Sequence, residues 1–220
     1  MSFSGRQYSS VQRKGALFSK PAQLVGIKHF SSGYQGMSEI VISCSDGLQL
    51  AAKYWPSKET TNCNDASFVQ PPKIVCLHGW LDNAASFHMV APTLNSRGDV
   101  LALDFPGHGH SGHKSPDGPT NLISEYALYL SETLESMSWI KDEPKESEGV
   151  ILVGHSMGAG VALIYAATFP EYASRVVLLD GAGPLARNLC ALDHTETCFR
   201  KQNNILPIVK VPMMRIMSYV

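Results

Sequence analysis

Gly154-His155-Ser156-Met157-Gly158 sets a serine between two glycines, where an apolar run (150–153) meets a helical pattern (157–169). A serine on a sharp strand-to-helix turn projects its hydroxyl outward, and glycines two residues to either side let the crossing backbones pass. The pattern alone is common; the strand before it and the helix after it make it a candidate nucleophile for acyl transfer. Acyl transfer also builds negative charge on a carbonyl oxygen, and that oxyanion needs aimed N–H donors. His78-Gly79-Trp80 ends another apolar run and would supply one donor from the Trp80 amide. The Met157 amide would be the second, at the dipole-positive start of its helix. The two converge only if the strands carrying them are neighbours. Otherwise His78-Gly79 is simply a turn and Trp80 a core anchor.

Asp180 closes a further apolar run at Leu178-Leu179-Asp180-Gly181. A carboxylate at that height would orient a catalytic imidazole and stabilise its cation, or would equally serve as a structural turn or cap. His194 is the only histidine after Ser156, and its polar surroundings place it at the surface. His108, His110 and His113 have spacings met in zinc sites. Gly112 stands where such a site would carry a carboxylate, so no metal is expected. Asp104 and His108, in Asp104-Phe105-Pro106-Gly107-His108-Gly109, read instead as hydrogen-bonding anchors of a turn. Glu125, Tyr126 and Glu132 fall on a helix with mixed faces and read as solvated.

Four short Val/Ile/Leu-rich runs position these groups: 74–77, 100–103, 150–153 and 176–179. Runs of this kind are strands buried on both faces of a parallel sheet. Helical segments at 84–94, 122–139 and 157–169 alternate with them, which predicts right-handed βαβ crossovers and an open α/β sheet. Ligands of such sheets sit beyond the carboxyl ends of the strands, where the chemistry-bearing residues stand. Before these, 39–44 and 48–55 flank Asp46-Gly47 and read as a hairpin. The polar segment 58–72 reads as a surface loop.

The chain of 220 residues is 44% hydrophobic and 17% charged, enough for a globular domain with a core and unlike a disordered or fibrous chain. Its net charge of -1 gives no field to draw it onto nucleic acid or an anionic membrane. No run reaches the ~18 apolar residues of a membrane span. Five cysteines without paired spacing and with no secretory leader point to free thiols in a reducing compartment, not to secretion. Residues 1–38 carry Arg6, Arg13, Lys14, Lys20 and Lys28, many serines and no acidic residue. That composition fits a mitochondrial transit peptide and equally a plain disordered tail, so the compartment is expected to be cytoplasmic or mitochondrial.

The motifs from Cys76 to Phe87, from Asp104 to Gly109 and from Gly154 to Gly158, in this order and spacing, resemble the α/β-hydrolase superfamily, and serine hydrolase-like proteins in particular. The resemblance covers residues 39–183. It implies a mostly parallel sheet with flanking helices, Ser156 as nucleophile, and Trp80 and Met157 as oxyanion donors. It further implies a small-molecule ester or related acyl substrate and no obligatory cofactor. The serine sets the chain apart from haloalkane dehalogenases and epoxide hydrolases of the same superfamily, whose nucleophile is Asp. The family pattern continues past the fourth apolar run through a helical cap, two more strands and a loop bearing the catalytic histidine. This chain ends at Val220. The expected organisation is therefore a 1–38 extension, a 39–183 core truncated after its sixth strand, and a 184–220 start of a cap. Two consequences are expected. Turnover would be limited without that histidine, with a non-catalytic binding protein or inactive fragment as the alternative. The run 176–179, left as an apolar sheet edge, would invite self-association.

Overall fold

The computed structural model describes residues 22–29, 36–57, 71–118, 122–141, 149–181, 197–201 and 204–211. All six expected strands form: β2 (Ser38–Ser43), β3 (Gln49–Trp55), β4 (Lys73–Leu77), β5 (Asp99–Leu103), β6 (Val150–His155) and β7 (Ala173–Leu179). Three more join them, β1 (Gln23–His29), β8 (Thr197–Lys201) and β9 (Asn204–Val211), in one sheet ordered β1-β2-β3-β5-β4-β6-β7-β9-β8. The strands β5, β4, β6, β7 and β9 run parallel, while β1–β2–β3 and β8 are antiparallel additions at the two ends.

Three expectations change. Residues 23–29, inside the segment read as an extension, pair antiparallel with β2. The ladder shifts register between Leu24 and Gly26, and a bulge at a glycine breaks the alternation that would have marked a strand. Residues 197–201 and 204–211, placed at the start of a cap, are sheet strands instead. Finally, β7 is no edge: Val176 to Leu179 pair with Ile208 to Val211 on one side and with β6 on the other. Both rows of its backbone groups are thus occupied, and pairing with a second copy through β7 loses its basis. Pro207 hid β9, because proline cannot donate to a ladder. It sits just before Ile208, the first residue in register with β7.

The hairpin turns at Gly47 (φ 89°), closed by the Cys44 N–H donating to the Leu48 carbonyl at 2.8 Å. Its corner is tied to α2 (Ile123–Ser136): Glu132 accepts both the N–H and the hydroxyl of Ser45, each at 2.7 Å. Glu132 is therefore a tether and Tyr126 a buried side chain, where both had read as solvated.

Successive residues of β4 face opposite ways. Val75 and Leu77 pack with Leu130 and Leu134 of α2 and with Val161 and Tyr165 of α3 (Met157–Thr168). Ile74 and Cys76 pack with Phe87 and Ala91 on the other face. Burial on both faces accounts for the continuous apolar run. The expected helix 84–94 splits into a 3-10 helix, Ala84–Phe87, capped by the Asn83 side chain, and the short α1, Ala91–Leu94. Pro92 lies in the first turn of α1, where its missing N–H costs nothing; a continuous helix would have needed that donor.

Candidate active site

Ser156 links β6 to α3 with φ 48° and ψ −111°, a region that L-residues occupy only under strain of roughly 1–3 kcal/mol. Two backbone bonds hold it there: its N–H donates to the Leu179 carbonyl, and its carbonyl accepts from the Ala159 N–H, each at 3.1 Å. Its side chain is exposed. The neighbouring glycines are steric necessities. A Cβ on Gly154 would lie 2.4 Å from the Gly158 carbonyl oxygen, and one on Gly158 only 2.1 Å from that of Leu77. Gly181 is as constrained, because a Cβ there would lie 2.1 Å from that of Ala159.

β4 and β6 are adjacent, with Leu77 in register with Gly154, so their loops leave the sheet side by side. A Cβ on Gly79 would stand 3.4 Å from the Ser156 Cβ and 3.0 Å from Nδ1 of His155. The neighbour condition on which the Trp80 and Met157 amides depend is thus met. Neither N–H is taken up by a backbone carbonyl among the described residues.

The Trp80 loop is anchored by two residues below it. His78 is fully buried; its Nε2 accepts the Phe105 N–H at 3.0 Å, which leaves Nδ1 to donate to the Gly79 carbonyl at 2.7 Å. Burial lowers its pKa below the usual imidazole value, against an opposing pull from the Gly79 carbonyl, and the neutral ring is the form that makes both bonds. Asp104 accepts the Ala84 N–H at 2.6 Å and the His110 N–H at 2.8 Å. Its own carbonyl accepts the Ser111 hydroxyl at 2.6 Å. Asp104 is thus the turn anchor expected, and His108 makes a lesser contribution through Nδ1 and the Pro106 carbonyl at 3.0 Å. The structural role of His78 was not legible in the sequence, because its partner Phe105 lies 27 residues away.

Asp180 ends β7 with φ 46°, exposed, directly after the Leu179 that receives the Ser156 N–H. It stands one strand away from the serine, and no histidine side chain hydrogen-bonds to it among the described residues. His194 lies outside the described residues. Among those described, no three His, Cys, Asp or Glu side chains gather in a metal-holding group; His110 joins the Asp104 network through its N–H, and the His108 ring packs on Trp80. A cavity of about 370 Å³ opens beside Trp80, walled by Leu81, Pro106, His108, Pro116 and Tyr126. No helix among the described residues is long and apolar enough to cross a membrane.

Comparison with known proteins bears on this arrangement. The family model for the alpha/beta hydrolase fold matches residues 72–199. A serine hydrolase-like protein of Dictyostelium discoideum is 35% identical over 160 residues, covering 72% of this chain and 38% of that protein. Human serine hydrolase-like protein 2 is 33% identical over 144 residues, covering 66% of this chain and 39% of its own length. The crystal structure of a hypothetical protein from Pseudomonas aeruginosa PAO1 superposes with a TM-score of 0.53 at 32% identity, over 74% of this chain and 56% of that one. The chain spans well under half the length of these curated relatives.

Proposed function

Because the chain belongs to the alpha/beta hydrolase fold family, we propose that it carries the nucleophile and oxyanion machinery of a serine hydrolase acting on carboxylic esters or related acyl substrates. The observation that carries this reading is Ser156, exposed and held at φ 48° at the head of α3, with the Gly79 loop close beside it.

In the reaction, Ser156 Oγ bonds to the substrate carbonyl carbon as the C=O π pair moves onto oxygen. The Trp80 and Met157 N–H groups hold that oxyanion, each worth roughly 3–4 kcal/mol in the transition state. Collapse breaks the bond to the leaving alcohol, which departs with the proton lost by Ser156 and leaves an acyl-enzyme. Water then releases the acid and restores the serine. Asp180 is assigned to orient the imidazole that carries the proton. No imidazole among the described residues hydrogen-bonds to Ser156 or Asp180. Without that base, catalysis would fall to a residual of roughly 10³–10⁴ over water, so stoichiometric acylation is a better readout than turnover.

The test is labelling with a fluorophosphonate, which phosphonylates activated serines. An adduct that disappears in Ser156→Ala supports the hydrolase reading. A folded protein that never labels favours the alternative, a non-catalytic binding protein of the same fold.

A further inference from the structure

The cavity beside Trp80 does not include Ser156 in its wall, yet the two are joined through one residue. The Trp80 amide belongs to the loop beside the serine, while its indole faces the cavity. Trp80 and Leu81 are 65% and 82% exposed, the two most exposed large apolar side chains among the described residues, and both line this cavity. Leu81 is held there at φ 58°, a costly conformation for a leucine. A strained leucine and an indole, adjacent and both facing solvent, make an apolar patch of the kind that marks a ligand surface.

The opposite walls are flat and fixed. The His108 ring meets Trp80 edge-on at 5.6 Å and 75°, and Tyr126 at 6.3 Å and 76°. His108 is also 5.1 Å from the buried His78 ring, and Tyr126 packs on Phe105 at 4.9 Å. Pro106 and Pro116 stiffen the remaining wall. The basic group at the rim is neutralised, since Lys114 Nζ is 3.0 Å from a Glu125 carboxylate oxygen. The site therefore offers ring faces and edges with little net charge. At roughly 30 Å³ per water-sized group, its volume holds about a dozen non-hydrogen atoms.

We infer that this cavity is an aryl subsite: it takes the uncharged aromatic group, up to two fused rings, of an ester whose carbonyl lies at Ser156. The inference rests on the hydrolase reading for the position of the carbonyl, while the subsite's preference for a flat ring rests on the cavity alone. A planar guest extends the edge-to-face array at centroid distances of 4.5–7 Å, and a flexible alkyl chain of equal size gains no such contact and loses more rotational freedom.

Two measurements on the full chain separate the two claims. The first is calorimetric binding of 2-acetonaphthone against 2-decanone, both uncharged ketones that cannot be hydrolysed. Binding of the naphthyl ketone about tenfold tighter is expected. Trp80→Leu, which takes one ring out of the array and keeps the backbone amide, is expected to remove most of that difference, and Leu81→Ala to shrink it about threefold. Equal affinity for the two ketones, or a preference unmoved by both substitutions in proteins of unchanged melting temperature, would overturn the subsite. The second is the rate of labelling by a naphthylmethyl fluorophosphonate relative to an ethyl one. An aryl-to-alkyl ratio of about ten that collapses in Trp80→Leu, a comparison of two probes on the same variant, supports the inference. A ratio near one with both probes labelling overturns it. Failure of both probes overturns the hydrolase reading, while the ketone titration still decides the subsite.

Discussion

The turns after β5 and β6 flank the same central strand, β4, and are built in opposite ways. The β5 turn is held by buried polar side chains: Asp104 accepts two backbone N–H groups, and the Ser111 hydroxyl donates to the Asp104 carbonyl while accepting the Ala51 N–H at 2.9 Å. The β6 turn has an exposed hydroxyl and a φ of 48°, with no side chain capping its helix. One turn lowers its energy by hydrogen bonding. The other holds its strain through close backbone approach at Gly154, Gly158 and Gly181. The two meet at the Trp80 loop, which Asp104 and His78 anchor on the β5 side and which approaches Ser156 at Gly79 on the other.

This contrast can be broken at several points. Gly158→Ala should be the most damaging change, costing about 4 kcal/mol or more in urea denaturation, because backbone of β4 would have to move. Asp104→Ala should cost about 3 kcal/mol, since the buried Ala84 N–H and the part-buried His110 N–H lose their carboxylate acceptor. Asp104→Asn, which keeps one acceptor oxygen, should recover about half of that. His78→Phe should cost about 2 kcal/mol by orphaning the Gly79 carbonyl and the Phe105 N–H. It should also slow labelling of Ser156 more than any stability-matched core substitution does.

His78 carries a pH signature as well. Its folded pKa lies below the unfolded value of about 6.5, so the unfolded chain binds the proton first as pH falls. Its contribution is fully present above that unfolded value and is lost as pH falls from there through the folded pKa. The urea midpoint of wild type minus that of His78→Gln should therefore be constant above about pH 6.5 and shrink as pH falls below it. The smallest expected effect runs the other way. Ser156→Gly relieves the strain at φ 48° and should stabilise the fold by about 1 kcal/mol while abolishing labelling, the mark of a residue kept for chemistry rather than for stability.

The parallel core was legible because β4 and β5 are buried on both faces and β6 nearly so, while the second face of β7 is half-buried, and such burial leaves continuous apolar runs in the sequence. Ser156 was legible because its turn tolerates only glycine at 154 and 158. What escaped has equally physical causes. β1 bends at a bulge by Gly26, and β9 contains Pro207, so neither shows an unbroken strand pattern. The His78–Phe105 and Asp104–Ala84 bonds join residues 27 and 20 apart, and only the adjacency of β4 and β5 brings them together. Asp180 was legible as a strand-end carboxylate, but whether such a group orients an imidazole or merely ends a strand depends on its neighbours, and the sequence around it does not distinguish the two.

The most direct test is peptide mapping of the full chain after reaction with an ethyl fluorophosphonate at neutral pH. The account predicts one adduct per molecule, on the hydroxyl of Ser156. An unmodified Ser156 in folded protein, or an adduct carried by another residue, would contradict it.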